Sequence, residues 1–505
     1  MSIQTIKTFA TKFDQKLYTI ISSKGFFYAI LLFFGVSAAW VATASLYPMA
    51  FDENVHIGII AIYSHELLPI LTPTQEMAQY GGVVADPSYF FHYLMSFPYR
   101  IERDVLQMSE TASIIGLRFI NIGFFIAGLA VFWHALSLIG LSRFARNIII
   151  ALCCLIPISP LIAGQVNYDN LLIVEVALCF LLSLRILASF KQKHRIPVID
   201  TSLLLFVLFI SSATKFAFLP IAAAIIATLV GVFILSKQRR AALRRFIKES
   251  KALKTSTKVL IISLLCFGAL LNARYPSNVI QYQNVSPKCD KSFSVEACMD
   301  FGPYGRNHRY TQKLDPKFEP KNIIAYAVED WIPGMTYRLF FTVAGPTNDY
   351  DTKQPVFIPQ LIYIVGIIAG VVLFLWRSSK KTWQNSTTWL MLSIVGVYCL
   401  TLIVQLYISY RNNGVAVALN GRYLIPFAPI IGGLIAYSVR GFRNKKGIAG
   451  LGIFTTIILV ALVFEGGGIG TYIVRGQPEW FWPGWGQTSH QIMQSILDPI
   501  TLKSS

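Results

Sequence analysis

Acidic residues are scarce in this 505-residue chain, where 25 Asp and Glu stand against 44 Lys and Arg for a net charge of +19. Charge of either sign is thin as well, at 14% of residues where ordinary globular domains carry about 25%. With 54% hydrophobic residues and a mean hydropathy of +0.55, that scarcity excludes an ordinary soluble enzyme. The positive surplus does not point to nucleic acid either, because Lys and Arg fall in short stretches between apolar runs rather than along one face. Cysteine is sparse too. Of the seven, Cys153, Cys154, Cys179, Cys266 and Cys399 lie inside apolar runs, where a thiol behaves as a small hydrophobe, and no zinc spacing appears. Cys289 and Cys298 share one polar loop and are close enough to bridge in an oxidising compartment, a pairing the sequence leaves open. No internal repeat is evident, so the inverted-repeat signature of many secondary transporters is missing.

What the chain has instead is long apolar runs. A helix needs ~20 apolar residues to cross the hydrocarbon layer, and about eleven candidates recur along the sequence. They are Phe26–Tyr47, Ile114–Ile139, Asn147–Ala163, Leu171–Ala188, Val198–Ala213, Phe216–Leu235, Val259–Leu271, Phe357–Trp376, Trp389–Tyr407, Tyr423–Val439 and Ile448–Val474. The expected fold is therefore an all-α polytopic transmembrane helix bundle. The first run ends in Ala42-Thr43-Ala44, which loosely resembles a signal-peptide cleavage site, but its length favours an uncleaved span.

Positive charge sets the orientation, since short cytoplasmic loops retain Lys and Arg. Lys7, Lys12, Lys16 and Lys24 precede the first span, Lys191, Lys193 and Arg195 fill a later turn, and Arg239, Arg240, Arg244 and Arg245 another. Arg377, Lys380 and Lys381, then Arg440, Arg443, Lys445 and Lys446, continue on the same side. These segments are expected in the cytoplasm. Pro48–Ser113, Gly164–Asn170, Asn272–Val356 and Arg411–Arg422 are then outside, as is the end of the chain. Most acidic residues lie in these outer segments, so the chemistry is expected there.

Three polar clusters stand out. Asp52 and Glu53 follow the first span directly, where a carboxylate can act as a general base toward an acceptor hydroxyl, or can simply cap the helix that follows. Gln165-Val166-Asn167-Tyr168-Asp169-Asn170 packs four amide or carboxylate side chains into one turn between apolar helices, again open to a capping reading. Lys215 and Arg422 are cations on the side where positive charge is disfavoured. Pairing with a phosphate, or with Asp52 or Glu53, would explain them, as would lipid headgroups for Arg422. Arg118, Arg185, Glu175 and Glu465 read as structural partners. His56, His65, His92 and His308 are also in outer segments, but none is spaced as a helical zinc motif. The long outer segments, with Tyr89-Phe90-Phe91-His92-Tyr93 in one and Tyr304, Tyr310, Tyr326, Trp331 and Tyr337 in the other, are expected to roof a cavity with interfacial helices.

In this order, Asp52-Glu53, Gln165-Val166-Asn167-Tyr168-Asp169, Ser212-Ala213-Thr214-Lys215 and Gly421-Arg422-Tyr423-Leu424-Ile425-Pro426 resemble the GT-C glycosyltransferases. The resemblance is to a bacterial multi-span group long described only as a domain of unknown function. It extends more distantly to protein O-mannosyltransferases and lipid A aminoarabinose transferases. It implies a GT-C-like bundle at 1–475 with a short extracytoplasmic aromatic tail at 476–505, in a bacterial cytoplasmic membrane, with the site on the outer face. It also implies transfer of a sugar from a polyprenyl-phosphate or polyprenyl-diphosphate donor to an extracytoplasmic glycan, lipid or protein. Asp52 matches the acidic residue expected as base and Glu53 its companion. His56, Gln165, Asn167, Asp169, Lys215, Arg422 and Tyr423 are the candidates for binding substrate. The resemblance implies no cofactor beyond the lipid-linked donor and leaves a divalent metal open. Two rivals remain: a polytopic transporter or flippase, expected to bind near the bilayer midplane, and a glycan polymerase or ligase relying on outer-face arginines.

Overall fold

A computed structural model describes residues 3–345, 361–377, 385–439, 450–464 and 466–497. Helices dominate, and the strand-like pairing among the described residues is a single bridge between Ser45 and Phe481. Glu465 and the basic clusters at 380–381 and 440–446 lie outside the described residues.

Each apolar run of the sequence holds a helix, but fewer reach spanning length than expected. Among the described residues six are long and apolar enough to cross a membrane: Lys24–Ala44, Glu110–Leu138, Tyr168–Lys193, Phe216–Ile234, Thr255–Tyr282 and Ser386–Asn413. Val198–Thr214, Leu361–Trp376 and Leu451–Phe464 are apolar but shorter. The other runs are interrupted for local reasons. The third breaks between Arg143–Leu155 and Ile158–Ala163, where Pro157 has no N–H to continue the ladder. The tenth opens as a 3₁₀ turn over Gly421–Phe427, which contains Pro426, before Ala428–Val439. The eleventh divides into Leu451–Phe464 and Gly470–Arg475 around glycines that take positive φ, Gly466 at 100° and Gly468 at 59°.

Tyr168–Lys193 is the central helix, with most of its apolar stretch buried, whereas Thr255–Tyr282 lies at the periphery and is largely uncovered. Glu110–Leu138 and Val198–Thr214 pack along it. Side-chain caps start the long helices: Ser23 accepts from Phe26 N, Ser109 from Ala112 N, and Asn167 from Asp169 N. A further amphipathic helix, Ile3–Ile21, precedes the first span. Its buried Asp14 accepts from Gly450 N at 3.0 Å and Ile453 N at 2.9 Å, capping Leu451–Phe464 across the fold. The tail folds back on the first span: Trp482 N donates to Ala44 O, Trp40 Nε1 to Ser489 Oγ, and Phe481 stacks on His490.

At the end of the bundle that carries the long loops, Cys289 and Cys298 form a disulfide. It sits against Ala78 and Phe293, and Arg274 ties the same region to the carbonyls of Asp86 and Pro69. The two long loop segments thus dock on one another above the helix ends.

Candidate functional site

Five helix ends and turns converge at that end of the bundle. The Lys24–Ala44 helix stops at Ser45, and the chain turns through Phe51 and Asp52, which both adopt the left-handed region at φ 67° and 69°. Asp52 precedes the Glu53–Ser64 helix but makes no side-chain cap, so the capping role its position allows is not taken up. Its carboxylate is instead 42% exposed and meets Arg422 Nη2 at 3.2 Å. Arg422 is buried. Its Nη1 donates to Phe51 O at 2.9 Å, and its guanidinium lies over the Phe51 and Tyr423 rings at 5.0 and 5.2 Å.

Asp169 links the second cation to the first. Asn167 takes the cap of the Tyr168–Lys193 helix, which leaves the buried Asp169 carboxylate free for Lys215 Nζ at 2.6 Å. Its other oxygen lies 3.8 Å from Arg422 Nε. Lys215 sits over the Tyr168 and Tyr423 rings at 4.6 and 4.8 Å, in the break between Val198–Thr214 and Phe216–Phe218. Thr214 anchors that break by donating to Glu175 Oε1 at 2.7 Å. The result is a chain of alternating charge, Asp52, Arg422, Asp169 and Lys215, walled by aromatic rings and open at Asp52. Asn167 Nδ2 joins it by donating to Phe51 O at 3.3 Å. Gly421 lets Arg422 approach, since a Cβ there would meet Met335 O at 2.6 Å.

Glu53, expected as the companion of Asp52 in the chemistry, is occupied elsewhere. It is fully buried, and each oxygen receives two donors: Oε1 from Arg118 Nε and Val166 N, Oε2 from Arg118 Nη2 and Met49 N, at 2.7 to 3.1 Å. Those bonds fill the acceptor capacity of a carboxylate. Arg118 Nη1 donates in addition to Ala42 O and Ser45 O. The pair therefore ties the end of the first span and the Gln165–Asn170 turn to Glu110–Leu138, and leaves Glu53 no lone pair for a substrate.

Several buried polar atoms around the cluster lack a hydrogen-bond partner among the described residues: both side-chain heteroatoms of Gln165, His56 Nε2, Asp169 Oδ2 and Arg422 Nε. Native interiors leave few such groups, and of these five Asp169 Oδ2 and Arg422 Nε face each other at 3.8 Å. His56 contacts His92, a partner with no local sign in the sequence because 36 residues separate them. Among the described residues no group of three or more His, Cys, Asp or Glu could hold a metal ion.

A groove of about 800 Å³ runs down the bundle beside the Gly421–Phe427 turn. Leu424, Leu339, Phe340, Tyr363, Leu152 and Ile458 are among the side chains that give it an almost wholly apolar wall. Leu424 is two residues from Arg422, so one short turn faces both the charged cluster and the groove.

No protein-family profile and no curated protein matches the sequence. A solved structure of the oligosaccharyltransferase of Archaeoglobus fulgidus, tethered through a disulfide to an acceptor peptide containing the NVT sequon, is similar at a TM-score of 0.46 and 12% identity. The match covers 89% of this chain and 55% of that one, so the chain spans about half the length of that enzyme. No residue correspondence follows from a likeness at this level.

Proposed function

We propose that the protein is a membrane glycosyltransferase that moves a sugar from a polyprenyl-phosphate donor to an acceptor hydroxyl outside the cytoplasm. The observation that carries this reading is the exposed Asp52 carboxylate in contact with the buried Arg422, on a turn that also lines a long apolar groove. A lipid-linked sugar phosphate needs three environments at once: an apolar channel for the chain, fixed cations for the phosphate, and a carboxylate for the incoming hydroxyl. Arg422 offers a planar fork that suits phosphate oxygens, and Lys215 a second charge. The disulfide in the overlying loops supports placing this end of the bundle in an oxidising compartment.

The transfer follows from these positions. The donor phosphate takes Arg422, which frees Asp52 Oδ2 for the acceptor. Asp52 removes the acceptor proton as its oxygen bonds to the sugar carbon, and the sugar–phosphate bond breaks with its electron pair staying on the polyprenyl phosphate. Charge grows on that leaving group as it departs. A buried, fixed cation is therefore worth more in the transition state than in the bound donor. Glu53 and Arg118 hold the framework and touch no reactant.

Purified protein in lipid nanodiscs, incubated with a panel of polyprenyl-phosphate sugars and analysed by mass spectrometry, tests the reading. Release of polyprenyl phosphate with the sugar on an acceptor is expected. Movement of intact donor between leaflets with no bond broken would establish a flippase instead.

A further inference from the structure

Two buried histidines beneath the charged cluster have no part in the transfer described above. His56 lies one turn after Asp52, its backbone N–H reaching Asp52 O at 3.0 Å, and His92 lies on the Phe90–Arg100 helix. His56 Nδ1 is 2.9 Å from His92 Nε2, and the rings lie 23° from parallel.

The tautomers are assigned from the partners of each ring nitrogen. The bond between the His92 ring and the backbone of Ser88 favours the protonated ring, which makes the ring its donor, and because Nε2 faces His56 we assign that donor to Nδ1. A neutral imidazole carries one N–H, so His92 Nε2 is an acceptor and His56 Nδ1 must be the donor to it. His56 Nε2 is then left with a lone pair. That atom is buried and has no hydrogen-bond partner among the described residues. The His56 ring stands edge-on to Tyr168, centroids 4.8 Å apart, and Lys215 Nζ lies over that same Tyr168 ring.

The charged and titratable groups around His56 are His92 on the facing helix, Tyr168 and Asp169 in the turn, Lys215 and Arg422 beyond them, and Asp52 at the start of its own helix. Burial first, then His92, Arg422 and Lys215, hold its imidazole well below the usual range, while burial lowers His92 to about 3. Both rings are neutral at physiological pH.

We propose that His56 Nε2 is the acceptor that recognises a hydroxyl of the sugar, with His92 as the positioning residue that fixes its tautomer. This rests on the glycosyl-transfer reading. A carboxylate placed beside Arg422 and Lys215 would pair with them, as Asp52 and Asp169 do. An imidazole kept neutral there cannot be claimed by either cation as an ion pair. It remains available to an uncharged donor, and in the glycosyl-transfer reading that donor is a hydroxyl of the sugar.

The experiment separates this proposal from the reading beneath it. If the wild-type protein turns over no donor in the polyprenyl-phosphate sugar panel, the glycosyl-transfer reading fails, whatever His56 does. With a donor that is turned over, kcat/KM is compared for that donor and each of its monodeoxy forms in the wild type, His56→Leu and His56→Gln. In the wild type one monodeoxy donor is expected to lose roughly 10- to 100-fold, the effect of leaving one buried acceptor unpaired. His56→Leu should lose a similar factor on the parent donor and no longer distinguish that pair, while His56→Gln, with its neutral Oε1, should recover part. The wild-type kcat/KM should not change through the range of imidazole titration. Undiminished discrimination in His56→Leu overturns the proposal. Should that variant fail to fold, ¹⁵N spectra of histidine-labelled wild type decide: Nε2 of His56 unprotonated, and shifting when donor is added, supports it, and a protonated Nε2 overturns it.

Discussion

Asp52 and Glu53 are neighbours of like charge, each facing an arginine, yet they sit in opposite circumstances. Glu53 is sealed from solvent and receives four hydrogen bonds, two of them from Arg118. Asp52 is 42% exposed, in a single contact of 3.2 Å with Arg422. One carboxylate has spent its bonding capacity on the fold, and the other keeps its capacity for something that arrives. What separates them is one step of backbone in a left-handed turn, which sends successive side chains to different sides. An acidic pair at the end of a span is thus not one functional unit, and the comparison predicts that substitutions at the two positions fail in different ways.

The largest effect is expected at the sealed pair. Removing one partner of a buried ion pair leaves the other charge unpaired and costs about 3–5 kcal/mol. Arg118→Ala should therefore collapse the yield of monodisperse protein, and Glu53→Gln should lower it too. Normal yield with lost turnover in Glu53→Gln would return that residue to the chemistry and erase the contrast. At the open pair the pattern should reverse. Asp52→Asn keeps the shape but cannot take a proton, so turnover per folded molecule should fall ~100- to 10,000-fold with yield near wild type. Arg422→Lys keeps the charge without the fork and should retain partial turnover, while Arg422→Ala loses most of it. An unchanged normalised rate in the alanine variant would reduce Arg422 to an anchor of its turn.

A smaller effect is expected between the two pairs. Asn121 is fully buried; its Oδ1 accepts from Asn167 N at 3.3 Å and Asn170 Nδ2 at 3.1 Å, holding the turn that carries Asp169. Asn121→Ala leaves those donors short of a partner and should cost about 1–3 kcal/mol in thermal or denaturant unfolding. Turnover of the folded fraction should drop only as far as Asp169 shifts.

Hydropathy located the helices because burial in lipid and burial in protein both select apolar residues, and each expected run does contain one. The same averaging hid where they stop. Pro157, Pro426 and the positive-φ glycines at 466 and 468 interrupt runs whose mean hydropathy stays high. The Ile3–Ile21 helix escaped notice for the opposite reason, since alternating Lys and apolar residues give it little net hydropathy. In the site, Asp52, Asp169, Lys215 and Arg422 were legible one by one, the carboxylates as acidic residues at helix ends and the cations as charges in segments expected to disfavour them. Their pairing was not. Asp52 and Arg422 are 370 residues apart, Glu53 and Arg118 are 65, and nothing local says which cation reaches which carboxylate. The capping role open to Asp169 was resolved only by seeing Asn167 take it.

The left-handed turn at Phe51 and Asp52 has a last consequence. Residues with a Cβ hold that conformation at a cost of order 1–3 kcal/mol each, whereas glycine adopts it freely. Asp52→Gly relieves that cost but also deletes a carboxylate partner of the buried Arg422, so it should melt near the wild-type temperature while its turnover falls as far as that of the asparagine variant. Durability and activity part company at this position. A campaign that selected only for a hardier protein would leave it unguarded and let the activity go silent.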